Sequence, residues 1–499
     1  MAPLGEDSPF HMETDMPTTR REFVKTAAAG AAIGFAACGR TAPPQERDLS
    51  AAKKEFAVAP PIEERKYPPL ADDAFRLPKS WHDGQMRRLQ EYLKAEKLAG
   101  ALLDSASHQA YFTGLYMSRT ERPAMAWIPA EGPPHFFVPG LDRDLVDTWG
   151  IAQSTYFDFK NSGTEVLATL PHVYGSGETI LPRHGPTRDL FEWMLEGVKQ
   201  LGVDGSRVAI DSSSFDPRED ASPRQQVFAK VFPGKQLVGI GATLSEWRLS
   251  KDEHEIALVQ KALDIGTEIA IHCRAYIIEH GTDLTDFAVR QEGQRFGTEL
   301  VMHTLGLATQ LEEGMPHTAV EFSAGVGCRA GMNTAWPHPN QFHYRRLARG
   351  QAVQLSGSCN LAGYGGEGYR ACHIQPMDDF ARKLWEVHTE MTIFQGEETK
   401  AGAIAGVVGE KTLEIPIKAG LERYIYHRPA HGWKHTPPWL SPGDPTVITE
   451  NMMFSNEPGL YAPEHGVGYN HSNNILAKPD RGVRMNKTPL NKEFCWIEL

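Results

Sequence analysis

The segment VQLSGSCNLAGYGGEGYRACHI, residues 353–374, contains the pattern on which the fold assignment depends. Two arms with a polar stripe flank a glycine-rich centre, which predicts a β-hairpin with Gly363 and Tyr364 in its turn. A hairpin of this kind can hold two metal-binding carboxylates at a fixed spacing. Here Glu367 occupies one of the two positions and Ser356 the other. The hairpin therefore raises the question of a whole metal site, part of one, or none.

Three more segments in the C-terminal half carry groups with catalytic potential. Taken singly, each has an ordinary explanation, because a histidine beside glycine or proline is commonly a hydrogen-bonded loop residue. Together they favour a catalytic site. The groups are His338 and His343 in segment 333–350, His427, Arg428, His431 and His435 in segment 426–435, and Glu457, Asn470 and His471 in segment 454–471.

The N-terminal half alternates helical and strand patterns. Met86, Leu89, Tyr92 and Leu93 fall on one face of a predicted helix, and short apolar runs bounded by turn residues follow it. This alternation predicts an α/β domain over residues 76–245.

The C-terminal half, residues 246–499, begins with a long helical pattern. Ser250 and Glu253 have the spacing of a capping box at its start. Strand-like segments follow, interrupted by one further helical stretch near residues 377–397. This order predicts an α+β domain that curls around a site.

The N-terminus has the features of an export signal. Arg20 and Arg21 precede an alanine-rich run that is too short to span a membrane and ends at Cys38. Residues 1–38 resemble a twin-arginine signal with a lipobox, which implies a periplasmic protein with a lipid anchor at Cys38. Residues 39–75 are rich in Pro, Ala, Glu and Lys and predict a flexible tether.

The composition excludes several classes of protein. The 499 residues carry a net charge of −12 with no long basic run, which argues against a nucleic-acid partner. The six cysteines form no CxxC pair, which argues against a zinc finger and against a disulfide scaffold. The length predicts two or three domains.

The hairpin resembles that of the pita-bread family, which includes creatinase, aminopeptidase P, prolidase and methionine aminopeptidase. In that family the hairpin supplies an Asp, then a Gly-aromatic turn, a second Asp eleven residues after the first, and an Arg. The corresponding residues here are Ser356, Gly363 with Tyr364, Glu367 and Arg370.

Other motifs of the family follow in the same order. His338 matches the histidine before the hairpin, His431 the His-Gly motif, residues 457–461 the Glu-Pro-Gly-x-Tyr motif, and Asn470 the position of the last glutamate. The first half is similar to the N-terminal domain of creatinases and prolidases. The resemblance, over roughly residues 80–499, implies an α/β creatinase-like domain followed by an α+β pita-bread catalytic domain.

The resemblance implies a metal site that has lost ligands. Ser356 and Asn470 replace carboxylates, so two neighbouring ions would lack the negative oxygen ligands that they need. Glu367, His431 and Glu457 remain, and they form a set suited to one Zn, Mn or Fe ion with an open position for water. One divalent ion and no ion at all are both left open.

The metal-free alternative follows the resemblance to creatinase, in which a histidine transfers the proton. His338 matches that position, and the two glutamates would then hold a cationic or zwitterionic substrate. Arg122 falls near the arginine that creatinase presents to the partner subunit's substrate, which implies a homodimer. Arg370 and His435 are assigned to substrate binding.

Three functions are left open. The first is an exported hydrolase that cleaves a C–N bond in a small polar substrate, with a mononuclear or metal-free site. The second is an Xaa-Pro dipeptidase or aminopeptidase. The third is a non-catalytic protein that binds a ligand or a partner in the cleft. For the enzymes, the predicted catalytic residues are His338, Glu367 and Glu457.

Overall fold

The computed structural model describes residues 75–117, 122–157, 179–180, 187–211, 223–304, 322–339 and 345–499. Within these residues an α/β region is followed by an α+β region, as the sequence predicts. The predicted signal with Cys38, the tether as far as residue 74, and His343 lie outside the described residues.

The N-terminal region contains one mixed sheet. Its strands are β1 (Gly100–Leu103), β2 (Met125–Pro129), β3 (His135–Pro139), β4 (Ala152–Phe157), β5 (Thr179–Ile180), β6 (Arg207–Ile210) and β7 (Gln236–Gly239). Across the sheet they have the order β5-β4-β3-β2-β1-β6-β7. Strand β1 runs parallel to β6 and antiparallel to β2.

The helices of this region accompany the sheet. They are α1 (Lys79–Ala95), α2 (Ala106–Thr113), α3 (Arg143–Thr148), α4 (Thr187–Gln200), α5 (Pro223–Val231) and α6 (Gly241–Trp247). The predicted apolar face of α1 is confirmed, since Leu89 and Leu93 are fully buried and Met86 and Tyr92 pack against the core. The predicted boundary between residues 245 and 246 falls inside α6.

The long helix that opens the C-terminal region is α7 (Glu253–His280). Its capping box is formed by Asp252 and Glu255, so the predicted box at Ser250 and Glu253 is wrong by two residues. The Asp252 carboxylate accepts the backbone N–H of Glu255 at 2.9 Å, while the Ser250 hydroxyl lies 3.0 Å from that of Thr449. A carboxylate at the N-cap also interacts favourably with the helix dipole.

The other helices of the C-terminal region are α8 (Asp286–Thr304), α9 (Asp379–Glu398), α10 (Ala405–Lys418) and α11 (Lys492–Cys495). Helix α9 confirms the helical stretch predicted near 377–397. The sequence pattern missed α10 because Gly406, Gly409 and Pro416 interrupt it. Close packing explains one of these interruptions, since a Cβ at Gly409 would lie 2.5 Å from the Leu440 carbonyl oxygen.

Twelve described strands complete the region. They are β8 (Phe322–Ala330), β9 (Gln351–Leu361), β10 (Tyr364–Gly365), β11 (Tyr369–Ile374), β12 (Ala430–Gly432), β13 (Thr436–Leu440), β14 (Met453–Asn456), β15 (Leu460–Ala462), β16 (Val467–Tyr469), β17 (Asn473–Ala477), β18 (Gly482–Arg484) and β19 (Trp496–Ile497). One sheet joins β9 to β8, β10 and β11, and β11 to β19; a second has the order β13-β12-β14-β17-β18. Strands β15 and β16 form a separate pair.

The predicted hairpin is formed by β9 and β11. Ser356 lies opposite Tyr369, and Leu355 lies opposite Arg370. Because successive side chains of a strand point to opposite faces, Ser356 and Arg370 are on different faces of the sheet. Ala362 and Gly363 form the turn with positive φ angles of 47° and 81°, so Tyr364 begins β10 and is not a turn residue.

Among the residues that the structure describes, no helix has both the length and the apolar character needed to cross a membrane.

Candidate functional site

Four polar side chains meet where several strands end. Glu367 stands between β10 and β11, His431 is the central residue of β12, and Glu457 directly follows β14. Strands β12 and β14 are neighbours, with His431 opposite Ser455. His435 lies in the turn between β12 and β13. Residues far apart in the sequence thus reach one cleft.

The turn that carries His435 is fastened to the hairpin. Trp433 Nε1 donates to the Gly365 carbonyl oxygen at 2.7 Å, and Lys434 Nζ donates to the Gly363 carbonyl oxygen. Lys434 and His435 have φ angles of 58° and 59°, a left-handed conformation that is uncommon without glycine. Such strained positions cluster at functional sites. These bonds set the imidazole of His435 beside the hairpin carboxylate.

The distances show which groups interact. His431 Nε2 lies 3.0 Å from Glu457 Oε1, and His431 Nδ1 lies 2.8 Å from the Gly432 carbonyl oxygen. His435 Nε2 lies 3.7 Å from Glu367 Oε1. One ligand atom each of Glu367, His431 and His435 lies within 4.8 Å of the other two. This set differs from the predicted one because His435 takes the third place, while Glu457 binds His431.

The protonation of the cleft follows from burial and from these contacts. Burial, together with the nearby Glu457 carboxyl, raises the pKa of Glu367 to about 7. Burial acts in the same direction on Glu457, but its hydrogen bond to His431 and the charge of that imidazole lower the pKa of Glu457 overall. Burial opposes the charged form of His431, and Glu457 outweighs it and raises the pKa of His431. The cleft therefore holds an ion pair beside a carboxyl that titrates near neutral pH.

Two family models match the chain in the order of its two regions. Residues 85–250 match the Creatinase/Prolidase N-terminal domain, and residues 257–479 match Metallopeptidase family M24. The chain belongs to the pita-bread family of creatinases, aminopeptidases P and prolidases. It is accordingly a hydrolase of the M24/Xaa-Pro peptidase superfamily.

Individual relatives agree with this assignment. The chain is 22% identical to a putative dipeptidase, YkvY, of Bacillus subtilis over 81% of this chain and 98% of the relative. It is 23% identical to an Xaa-Pro dipeptidase of Lactobacillus helveticus over 75% and 89%. A dipeptidase structure from Pyrococcus horikoshii has the same fold, with a TM-score of 0.57 and 20% identity over 83% of this chain and all of that one.

The family's pair of metal ions does not fit this member of the pita-bread family. The Ser356 hydroxyl accepts the backbone N–H of Gly327 at 2.7 Å, so a neighbouring strand already uses its oxygen. Asn470 Nδ2 donates to the Tyr461 hydroxyl at 3.1 Å. Neither residue offers a negative oxygen, which two adjacent divalent cations require.

One ion does fit the pita-bread site. Glu367, His431 and His435 supply a carboxylate and two imidazoles, a donor set that suits Zn, Mn or Fe. His431 Nδ1 bonds to the Gly432 carbonyl, the kind of outer contact that orients a ligating imidazole. The single-ion alternative therefore keeps its geometric basis, with His435 added and Glu457 bonded to His431.

Arg370 does not face the cleft, and its predicted role in substrate binding is wrong. Its side chain is 0% exposed. The guanidinium donates to the backbone carbonyl oxygens of Thr488, Pro489, Tyr369 and Ser472, at distances between 2.6 and 3.2 Å. The arginine that the family frame places after the hairpin thus joins the hairpin to the C-terminal segment.

The remaining predicted residues are distributed as follows. His338 is exposed, and its charge lowers the pKa of His435, although burial of His435 is the larger cause; His338 therefore stands near the cleft. Arg122 lies in the N-terminal region, where its charge acts on the Asp142 carboxyl. The role of Arg122 in a partner subunit's site, and the homodimer itself, stay predictions.

His471 is structural. Its Nδ1 accepts the backbone N–H of Ala371 at 3.1 Å, and its own backbone N–H donates to His388 Nε2 at 3.0 Å. Both imidazoles are fully buried. Asn470 and His471 point to different environments, in keeping with the alternation of an extended chain.

Sequence reasoning missed three residues near the cleft: Arg329, Tyr369 and Tyr461. The arginine is a single charge in the glycine-rich strand β8, and no family motif includes it. The pairing of strands β8 and β9, in which Arg329 lies opposite Gln354, reveals its position beside the hairpin. Tyr461 belongs to the quoted Glu-Pro-Gly-x-Tyr motif, which was the available signal for it.

Proposed function

We propose that the chain is an exported hydrolase that cleaves the C–N bond of short, dipeptide-like substrates at a site for one divalent ion. The observation that carries the proposal is the convergence of Glu367, His431 and His435 within 4.8 Å, with Glu457 bonded to His431. The names of the relatives, dipeptidase and Xaa-Pro dipeptidase, support the substrate class.

The donor set explains what each part of the site contributes. Glu367, His431 and His435 would hold a divalent ion, which would supply Lewis-acid polarisation of a carbonyl and activation of water. Nε2 of His431 would be the ligand atom, because Nδ1 donates to the Gly432 carbonyl oxygen and so keeps the imidazole oriented. Glu457, 3.0 Å from Nε2, would accept the proton that Nε2 gives up to bind the ion. With no ion bound, Glu367, whose pKa is raised to about 7, is able to hold or release a proton at neutral pH. As a ligand it would be the ionised carboxylate.

The first experiment measures metal content and hydrolysis together. The purified protein is loaded with Mn²⁺ or Zn²⁺, desalted and analysed by mass spectrometry, then assayed with Ala-Pro and Ala-Ala. We expect about one equivalent of ion. In His431→Ala, the ion is lost and hydrolysis falls at least about 100-fold. His303→Ala is the matched control, because His303 is exposed on α8 and belongs to none of the cleft segments.

The other outcomes separate the alternatives. Two bound equivalents would contradict the single-ion site. No bound ion with retained hydrolysis would make His338 the acid–base group, and guanidino compounds and ring amides would be the next substrates to assay. If the protein hydrolyses none of these substrates, with or without a bound ion, the result would favour the binding-only function. Export is tested by cell fractionation, and a precursor found only in the cytoplasm would contradict it.

A further inference from the structure

The position of Arg329 follows from strand register. Arg329 on β8 lies opposite Gln354 on β9, two residues from the pair formed by Gly327 and Ser356. Ser356 in turn lies opposite Tyr369 on β11. Opposed residues, and residues two apart on one strand, share a face of a sheet. Arg329 is therefore on the face that carries Ser356, the position of a lost metal ligand.

A backbone carbonyl oxygen holds the Arg329 guanidinium in place. Arg329 Nη1 donates to the Pro337 carbonyl oxygen at 2.7 Å, and the side chain is half-buried. Within the described ranges, Arg329 takes part in no ion pair. A guanidinium carries five N–H donors, and within the described part of the chain one of them is used by Pro337. A half-buried, oriented cation of this kind suits a carboxylate.

Two phenols accompany Arg329. Tyr369 on β11 lies opposite Ser356, so it shares the face of the sheet that carries Arg329, and it follows Glu367 by two residues. The Tyr461 hydroxyl lies 3.1 Å from His427 Nε2, and Tyr461 follows Glu457 by four residues. Tyr369 thus links the face that carries Arg329 to the hairpin carboxylate.

A buried amide is bonded to the second of these phenols. Asn470 is more than nine-tenths buried, and its Nδ2 donates to the Tyr461 hydroxyl at 3.1 Å. Its Oδ1 has no hydrogen-bond partner in the described part of the chain. A buried polar atom without a partner is costly, so a polar ligand that bonds to it gains affinity.

We infer that Arg329 binds the free carboxylate of the substrate, in the part of the cleft where Ser356 and Asn470 replace metal-binding carboxylates. The ligand is then a zwitterion of amino-acid or dipeptide size. Its amine or its scissile end lies toward Glu367 and Glu457, and its carboxylate lies against the guanidinium. That this ligand is a substrate rests on the proposed function. Carboxylate binding by Arg329 does not depend on it.

The test compares two probes that differ only in the carboxylate. L-Proline and L-prolinamide are titrated calorimetrically into the Mn²⁺-loaded protein. We expect wild type to bind proline more tightly than prolinamide. In Arg329→Met, proline affinity falls about 10- to 100-fold, the equivalent of one charged hydrogen-bond pair, while prolinamide affinity changes less than about twofold. Arg329→Lys retains part of the preference for proline because it keeps the positive charge. The rest is lost because an ammonium lacks the paired N–H donors of a guanidinium.

Arg428→Met is the matched control. The Arg428 guanidinium lies 3.9 Å above the ring of Trp439 and its charge also reaches His435, so it tests the general positive field of the cleft. The ratio of the two affinities is expected to stay at the wild-type value in this variant. A loss of preference in Arg428→Met but not in Arg329→Met would overturn the assignment.

Two further results would overturn it. Equal losses for both probes in Arg329→Met would show that Arg329 only positions the segment at Pro337. No preference for proline in folded wild type would exclude a carboxylate subsite. Hydrolysis of Ala-Pro, assayed on the same samples, keeps the two proposals apart: proline preference without hydrolysis refutes the proposed function alone, and hydrolysis without preference refutes the subsite alone.

Discussion

The cleft and the polar layer behind it contain the same kinds of residues in opposite circumstances. In the cleft, Glu367, His431 and His435 each bring one ligand atom within 4.8 Å of the other two. In the layer behind, Arg370 on the hairpin and His471, which follows Asn470, are bonded to backbone groups of the protein.

The difference teaches that residue type alone does not identify a functional side chain in this fold. The hydrogen-bond partners of the side chain identify it. A buried polar group must be paired, and once paired with backbone it is committed to the structure. Ser356 lies between the two cases, because it faces the cleft but its oxygen is bonded to Gly327. Three variants test whether this division is real.

The largest expected effect is the loss of stability on replacing Arg370, which belongs to the structural layer. Arg370→Met leaves the carbonyl oxygens of Thr488, Pro489, Tyr369 and Ser472 without their donors. We expect the free energy of unfolding to fall by about 3 kcal/mol, since several buried acceptors lose a charged partner. Urea unfolding measures this loss, and KM of the remaining folded enzyme should stay unchanged. A raised KM with unchanged stability would contradict this and indicate that Arg370 binds the substrate.

The second variant concerns acid stability. Burial lowers the pKa of His388 to about 3, against about 6.5 in the unfolded chain, and its Nε2 must stay unprotonated to accept the His471 N–H. The unfolded chain therefore binds the extra proton first as the pH falls. Stability from this group is complete above about pH 6.5 and decreases below it, by up to about 1.4 kcal/mol per pH unit.

Urea unfolding at pH 7.5, 6 and 5 measures this dependence. In His388→Gln the decrease per pH unit should be smaller by about that amount, because the amide oxygen can accept the N–H and does not titrate. His303→Gln, on an exposed part of α8, should leave the pH dependence as it is in wild type. An unchanged dependence in His388→Gln would mean that this imidazole is not held neutral by the fold.

The smallest expected effect is at Ser356. Ser356→Ala removes the acceptor of the Gly327 N–H, which should cost about 1 kcal/mol of stability. Metal content and kcat/KM should stay within about twofold of wild type, because the hydroxyl is not a ligand in this geometry. A loss of the bound ion in Ser356→Ala would contradict the division between the cleft and its structural surroundings.

Spacing along the chain was enough to find the fold and the centre of the site. The hairpin frame, with Glu367 eleven residues after Ser356, and the motifs at His431 and Glu457 lead to residues that the structure brings together. These positions could be predicted because strands hold their residues at fixed registers. The same frame failed at Arg370, because the motif specifies a residue type but not the face on which its side chain stands.

The sequence by itself determined the two-region architecture, the hairpin and the loss of two carboxylate ligands, since these depend on periodicity, spacing and residue identity. Only the tertiary structure decided that His435 joins the ligand atoms, through a turn fastened to the hairpin, and that Arg329 shares a sheet face with Ser356. The physical reason is that both placements arise from pairing between distant strands. Such pairing decides which donors are spent on the backbone and which remain for a ligand.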